Sequence, residues 1–188
     1  MNTLWNLHPS LLLLAIFAFI PYGMLSYRLP TSDDLDRASQ RQRHGVVQGV
    51  GLLCALGGYA AAYVYHELDG HVHLPPVHKA LSKQVHIYGG LLALALLLAQ
   101  GGLGVQLMLR SSKLPGVEAS AALKARAGHS ALGFRVWVGL VLISLLGLYM
   151  PLYEKARGNW LAPLLFSLIA AAFGVSVALV ARALPATA

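Results

Sequence analysis

Residues 86–104 read HIYGGLLALALLLAQGGLG, so that a histidine stands at the head of a long apolar run. Three other apolar segments are built in the same way, with His8, His44 and His129 near their N-terminal ends. Ionisable side chains at membrane depth are energetically costly and usually functional. Four histidines in equivalent positions therefore indicate a site rather than a chance arrangement.

The composition is that of an integral membrane protein, with 57% hydrophobic and 11% charged residues among 188. Five apolar segments are each about 20 residues or longer, enough for a helix to cross a hydrocarbon core of about 30 Å. They cover approximately residues 5–28, 43–65, 84–109, 128–149 and 160–182. The first lacks the basic region and the cleavage site of a signal peptide, so we expect it to be a true transmembrane helix.

Consecutive membrane helices run antiparallel, so the first and third histidines should lie near one face and the second and fourth near the other. The expected pairs are His8 with His86 and His44 with His129, at levels about 20 Å apart. Two facing imidazoles in a helix bundle are what bis-histidine ligation of a haem requires. We therefore predict an all-α membrane protein with five transmembrane helices. A four-helix core at residues 1–150 would hold two b haems, and residues 151–188 would form an accessory C-terminal helix.

Other residue types narrow the chemistry. The single cysteine, Cys54, lies mid-helix, and without a CxxCH motif any haem must be held non-covalently. The net charge of +7 arises from basic residues in short connections between apolar segments. This distribution is typical of a topology signal, and we expect no nucleic-acid partner.

The basic residues also predict the orientation in the membrane. Nine fall on one side of the predicted bundle, namely Arg28, Arg37, Arg41, Arg43, Arg110, Lys113, Lys124, Arg126 and Arg182. Four fall on the other side, namely Lys79, Lys83, Lys155 and Arg157. The positive-inside rule then places the N-terminus outside and the C-terminus in the cytoplasm. The second and fourth histidines would lie near the cytoplasmic face.

Glycines follow the third and fourth histidines at matching distances. Gly90 and Gly133 each come four residues after their histidine, on the same helix face and one turn deeper. We expect the missing side chains to leave space for a haem. Gly104 and Gly147 each come 18 residues after the same histidines, about five turns along that face.

Three arginines stand close to the predicted haem sites. Arg41 and Arg43 come just before His44, where they could pair with haem propionates, attract an anionic substrate, or only set the topology. Arg135 lies six residues into the fourth segment. It could extend to the cytoplasmic face or pair with a propionate or another polar group.

The connection after the second segment is rich in possible metal ligands. They are His66, Glu67, Asp69, His71, His73 and His78. Such a density of ligands could bind a divalent metal, although His-x-His alone is a weak motif. His66 also ends the second segment near the level of His8, so it is the alternative partner of His86.

The pattern His-x3-Gly-x9-Gln-x3-Gly that begins at His86, followed by His129-Ser130 and Gly133, resembles the core of the cytochrome b-561 family. His8-Pro9 resembles the first core helix of that family, and Arg41, three residues before His44, resembles its second. The resemblance covers roughly residues 5–150. It implies that the first and third core histidines bind one haem b and the second and fourth bind the other, which are the pairs expected above.

The chain also departs from the animal and plant members of that family. Leu81 stands where those members carry a further histidine, and Ile87 follows His86 where they have serine and often tryptophan. The compact form resembles a bacterial relative or a membrane-anchor subunit more than a vesicle ascorbate enzyme.

The function that we expect is transmembrane electron transfer between two b haems, with the donor docking at one face and the acceptor at the other. Ascorbate, a quinol or a redox protein are the candidate electron partners, besides the membrane lipid itself. One alternative is a quinol-linked cytochrome b anchor subunit of a larger redox complex, and a homodimer is also compatible with the sequence. An alternative from a different class is a haem-free transporter or structural subunit. A transporter built on carboxylates is disfavoured because the core segments contain no Asp or Glu.

Overall fold

The computed structural model describes residues 2–27, 34–70, 81–111 and 119–155, together with 168–169, 171–176 and 179. These parts of the chain are helical and contain no strand. Four helical stretches are long and apolar enough to cross a membrane, and we call them spans 1 to 4. They are Leu4–Ser26, Ala38–Leu68, Lys83–Leu109 and Lys124–Leu148. The prediction of an all-α membrane protein is confirmed.

The helices extend beyond the apolar segments. In chain order they are α1 Asn2–Leu13, a π-helical segment Leu14–Phe19, α2 Ile20–Ser26, α3 Asp34–Leu68, α4 Leu81–Ser111 and α5 Ala119–Lys155. The sequence had suggested that Arg37, Arg41 and Arg43 lie in a connection. They belong to α3 instead. Arginine, glutamine and alanine are good helix formers, so the helix continues where the apolar pattern stops.

Span 1 changes its hydrogen-bond pattern midway. The backbone N–H of Ile20 donates to the carbonyl of Ala15, five residues back, which is the π-helical pattern. The physical cause is Pro21, because a proline inside a helix has no N–H to donate and its ring clashes with the carbonyl four residues earlier. The indole N–H of Trp137 donates to the carbonyl of Ile16 in this segment at 2.8 Å. This bond joins span 1 to span 4.

The bundle consists of two antiparallel helix pairs. The helices of span 1 pack along α3, and α4 packs along α5. Contacts between α3 and α4, and between the π-helical segment and α5, join the two pairs. The buried core between them is formed by Leu12, Ala15, Ile16, Ile20, Ala55, Ala93, Leu97, Val136, Trp137, Leu140, Val141 and Phe173.

Among the described residues, the predicted fifth segment contributes Phe173 to this core. Phe173 is buried, and its ring lies 5.7 Å from that of Phe17 and 5.6 Å from that of Trp137, between centroids. The described pieces of residues 168–179 are helical. The rest of the fifth predicted segment, 160–182, lies outside the described residues.

Candidate functional site

The structure brings the first and third histidines together. The ring centroids of His8 on α1 and His86 on α4 are 6.5 Å apart, and the ring planes are inclined at 83°. A bond between a first-row metal ion and an imidazole nitrogen is about 2 Å long. The two half-buried rings are thus at a separation at which they can flank a single metal atom.

The second and fourth histidines lie at the opposite end of the bundle. His44 on α3 and His129 on α5 are half-buried and close enough to interact electrostatically. Since His129 contacts Gly104, which is 18 residues along α4 from His86, the two histidine levels are about 27 Å apart along the helix axis. This separation is larger than the value of about 20 Å expected from the sequence.

Three of the four histidines are oriented by a backbone carbonyl of the antiparallel neighbour. The Nδ1–H of His8 donates to the carbonyl of Gly58 at 2.9 Å, and that of His44 to Gly23 at 2.7 Å. His86 donates in the same way to Ile143 at 3.1 Å. A carbonyl only accepts, so these contacts place the proton on Nδ1 and leave Nε2 with a lone pair for a metal.

His129 is contacted by a side chain instead. The amide nitrogen of Gln100 donates to the carbonyl of His129 at 2.6 Å and lies 2.9 Å from its Nδ1. The amide oxygen Oε1 of Gln100 is buried without a hydrogen-bond partner. Buried polar atoms normally have partners. Nδ1 of His129 therefore faces a donor and not an acceptor, which distinguishes this histidine from the other three.

Glycines make room for two of the imidazoles, and they do so across the helix pair. A Cβ atom at Gly147 on α5 would overlap Cε1 of His86 on α4. A Cβ at Gly104 on α4 would lie only 3.1 Å from Cε1 of His129 on α5. The 18-residue spacing seen in the sequence therefore serves the histidine of the neighbouring helix.

The glycines four residues after the histidines have different neighbours. A Cβ at Gly90 would lie 3.1 Å from the hydroxyl oxygen of Tyr59, which donates to the Gly90 carbonyl at 2.6 Å. A Cβ at Gly133 would lie 2.7 Å from the amide nitrogen of Gln100. Polar side chains thus lie beside both glycines, and their predicted role in making space for a haem stays a prediction.

Aromatic side chains surround His8 at the end of the bundle. Its ring lies 6.4 Å from that of Trp5 and 6.2 Å from that of Tyr59, between centroids. His66 lies against Trp5 and Tyr65, at 6.3 and 5.9 Å. The ring that packs against His86 is that of His8, although His66 is near enough to His8 to interact with it electrostatically.

The metal site considered for residues 66–78 has no support in the described part of the chain. No group of three or more His, Cys, Asp or Glu side chains able to hold a metal ion occurs among those residues. His71, His73 and His78 lie outside them.

The three arginines singled out in the sequence are exposed. Arg41 and Arg43 lie on α3 within the turn that precedes His44. Arg135 lies on α5 next to the buried residues Val136 and Trp137, but its own side chain is exposed. The structure thus places two arginines at the level of His44 and the third farther along α5, near the middle of span 4.

The sequence patterns missed the groups that orient the histidines. Nothing in the sequence marks the backbone carbonyls of Gly23, Gly58 and Ile143 as hydrogen-bond acceptors for histidines. Nothing distinguishes Tyr59 from the other aromatic residues either. A signal was nevertheless present in the repeated spacing from histidine to glycine. In an antiparallel pair, equal spacings on both helices place each histidine opposite the other helix's glycine.

These side chains fit a bis-histidine haem. Four half-buried imidazoles form two separate groups at opposite ends of an apolar bundle, and three have an Nδ1 acceptor that leaves Nε2 available. Acceptors of this kind are the usual outer partners of metal-binding histidines.

Comparison with known protein families gives a match over most of the chain. A family model described as eukaryotic cytochrome b561 matches residues 7–150, which include all four histidines. No curated protein and no solved structure matches the chain. The resemblance drawn from the spacing of histidine and glycine is confirmed, and the chain belongs to the cytochrome b561 family.

Proposed function

We propose that this protein carries electrons across the membrane through two haem b groups, one near each face. The coarser part of this statement, transmembrane electron transfer through haem b, follows from membership of the family. The number of haems and their ligands are the proposal. His8 and His86 would hold one haem, and His44 and His129 the other.

The observation that carries the proposal is the orientation of the imidazoles by the neighbouring helix. His8, His44 and His86 each donate Nδ1–H to a backbone carbonyl of the neighbouring helix. Such a bond fixes the tautomer and the ring orientation and raises the basicity of the other nitrogen. An interface histidine in a haem-free protein has no need for the same arrangement at three separate positions.

The protein's own residues would determine what crosses the membrane. Haem b held by these histidines would supply a one-electron couple, and two imidazoles for each haem would favour electron transfer over oxygen chemistry. Between the two histidine levels lies the apolar core, which includes Ala93, Leu97, Leu140 and Val141. These packed side chains exclude water and ions, so the path favours electrons alone.

The exposed arginines indicate how a donor would dock. Arg41 and Arg43 present two positive charges at the level of His44. Charges in such a position attract anionic reagents and raise the rate of encounter. We propose that this end faces the cytoplasm, in keeping with the distribution of basic residues, and receives an anionic donor such as ascorbate. A quinol or a redox protein is the alternative donor.

Reconstitution tests the function. The purified haem-loaded protein is placed in vesicles with ascorbate trapped inside and ferricyanide outside. We expect ferricyanide reduction to depend on the protein, and the extracted haem-to-protein ratio to be near two. A ratio near one would contradict the two-haem arrangement. A protein that binds no haem in its membrane form would support the transporter or structural alternative.

A further inference from the structure

Arg135 lies near the middle of a membrane span. It is 11 residues after Lys124 and 13 before Leu148, the ends of span 4, or about 16 and 20 Å along the helix. Its side chain is exposed. A cation at this depth is costly and almost always faces the interior of a bundle or pairs with another group. Its exposure in this chain requires an explanation.

The arginine faces away from the bundle. The buried side of α5 is formed by Val136, Trp137, Leu140 and Val141. At about 100° per residue, Arg135 lies about 160° around the helix from Trp137. It therefore points away from the core that lies between the two histidine pairs. This position does not support a role at a haem propionate, and the surroundings of Arg135 are independent of which histidines bind haem.

The residues around Arg135 form an open surface, which we call the outward face of α5. It is made of Gly128, Ala131, Arg135, Gly139 and Leu142, which recur every three or four residues. Among the described residues, Cβ atoms at Gly128 and Gly139 would meet nothing within 4 Å. Small residues on a membrane helix let a second helix approach closely. The arginine stands at the centre of this surface.

No Asp or Glu of this chain stands in the middle of a span. Its seven acidic residues are Asp33, Asp34, Asp36, Glu67, Asp69, Glu118 and Glu154. All of them lie between the spans or near helix ends. A second copy of the chain docked through the same face would set one arginine against another. The anion must come from a different molecule.

We propose that the outward face of α5 docks a transmembrane helix of another protein, and that this helix carries a carboxylate near its centre. A guanidinium binds a carboxylate through two parallel hydrogen bonds. This pairing reduces the free-energy cost that each charged group has in contact with lipid. Anionic lipid headgroups lie at the membrane surface, so they match the depth of Arg135 less well. The protein would then be one subunit of a larger membrane complex.

A synthetic partner helix tests the proposal. The haem-loaded full chain is reconstituted in phosphatidylcholine vesicles with a fluorescent Leu/Ala transmembrane peptide that has one glutamate at its centre. The control peptide has glutamine there. Quenching of the fluorophore by haem reports association. We expect about tenfold stronger association of the glutamate peptide, in line with the strength of interhelical polar contacts. Equal association of the two peptides would overturn the proposal.

Variants show whether the arginine is responsible. Arg135→Gln should abolish the preference for the glutamate peptide, whereas Arg126→Gln, which removes an exposed cation near the start of the same helix, should keep it. Arg135→Glu should instead prefer a peptide with a central lysine, and an unchanged haem spectrum shows that each variant is folded. A preference that survives in Arg135→Gln would contradict the proposal. So would Arg135-dependent enrichment of phosphatidylglycerol, in vesicles that also contain this lipid, together with equal association of the two peptides, because the arginine would then bind lipid.

Discussion

The imidazole of His86 occupies the space that a side chain at Gly147 would fill. His129 and Gly104 form the equivalent contact at the other end of the same antiparallel helix pair. Each helix thus supplies one histidine and the glycine that accommodates its neighbour's histidine. The pair formed by α4 and α5 is therefore close to two-fold symmetric in the parts that hold its histidines.

The helices of span 1 and α3 follow the same scheme with backbone groups. His8 donates to the carbonyl of Gly58, and His44 to the carbonyl of Gly23. Each histidine is again oriented by a glycine of the helix beside it. A site that spans the whole bundle is thus built from two helix pairs, each of which contributes one histidine at each end.

The contact between His86 and Gly147 can be tested with one methyl group. Gly147→Ala should displace the His86 ring, since overpacking costs about 1–3 kcal/mol. Haem binding at the His8/His86 pair should weaken roughly 5- to 150-fold, while the other haem stays. Gly139→Ala on the same helix is the control, because its Cβ would meet no atom of the described residues within 4 Å. Haem titration of both variants checks this, and equal affinities would show that the ring is not held against α5.

Gln100 should influence one haem alone. Gln100→Leu keeps the approximate volume but removes the amide that contacts His129. Loss of such an outer partner typically costs about 10- to 100-fold in metal affinity or activity. We expect a weaker haem at the His44/His129 pair and an unchanged one at the other pair. Gln106→Leu changes an exposed glutamine on the same helix and should have no effect. Redox titration of both haems separates these outcomes.

Trp137 should contribute to stability but not to haem ligation. Trp137→Phe removes the indole N–H that donates to Ile16 in the π-helical segment. An interhelical hydrogen bond of this kind is worth about 1 kcal/mol. The variant should unfold at a lower denaturant concentration and keep its haem spectrum. Trp5→Phe, at an exposed position, is the matched control. Equal stability of the two variants would mean that this bond does not hold spans 1 and 4 together.

Arg41 and Arg43 should affect the rate of reduction without affecting the haems. With both changed to glutamine, reduction by ascorbate should slow, and its dependence on salt should weaken. The absorption spectrum should stay the same. Lys83→Gln removes an exposed cation at the opposite end of the bundle and serves as the control. Stopped-flow reduction at several salt concentrations measures the effect. Unchanged rates would mean that these arginines only set the topology and that the donor is a quinol or a protein.

The four spans were predictable because the length of an apolar run alone decides whether a helix can cross a membrane. The helix ends were not predictable from the apolar runs, because Arg37, Arg41 and Arg43 continue α3 through their own helix propensity. The π-helical segment was also missed. The sequence signal for this segment was Pro21 inside an otherwise regular span. The carbonyl of Ile16 in the segment accepts a hydrogen bond from Trp137, which lies more than a hundred residues away in the sequence.

At the candidate site, antiparallel order was enough to predict which histidines lie near each other. The role of the glycines could be identified only from the three-dimensional structure. Gly90 and Gly133 lie beside Tyr59 and Gln100, and these contacts depend on side chains of other helices. The depth of Arg135 was visible in the sequence. Its direction was not, because the buried side of α5 becomes known only from the packing.

The most direct test of the two-haem arrangement is the haem content of single histidine variants. The unmodified protein should contain two haems per chain, and His44→Ala, His86→Ala and His129→Ala should each contain one. His8→Ala should lose one haem or show a shifted spectrum, because His66 lies close enough to replace it in part. A normal two-haem spectrum in the His8 variant would make His66 the partner of His86. Normal two-haem spectra in the His44 and His129 variants would contradict the central claim that these two histidines hold a haem.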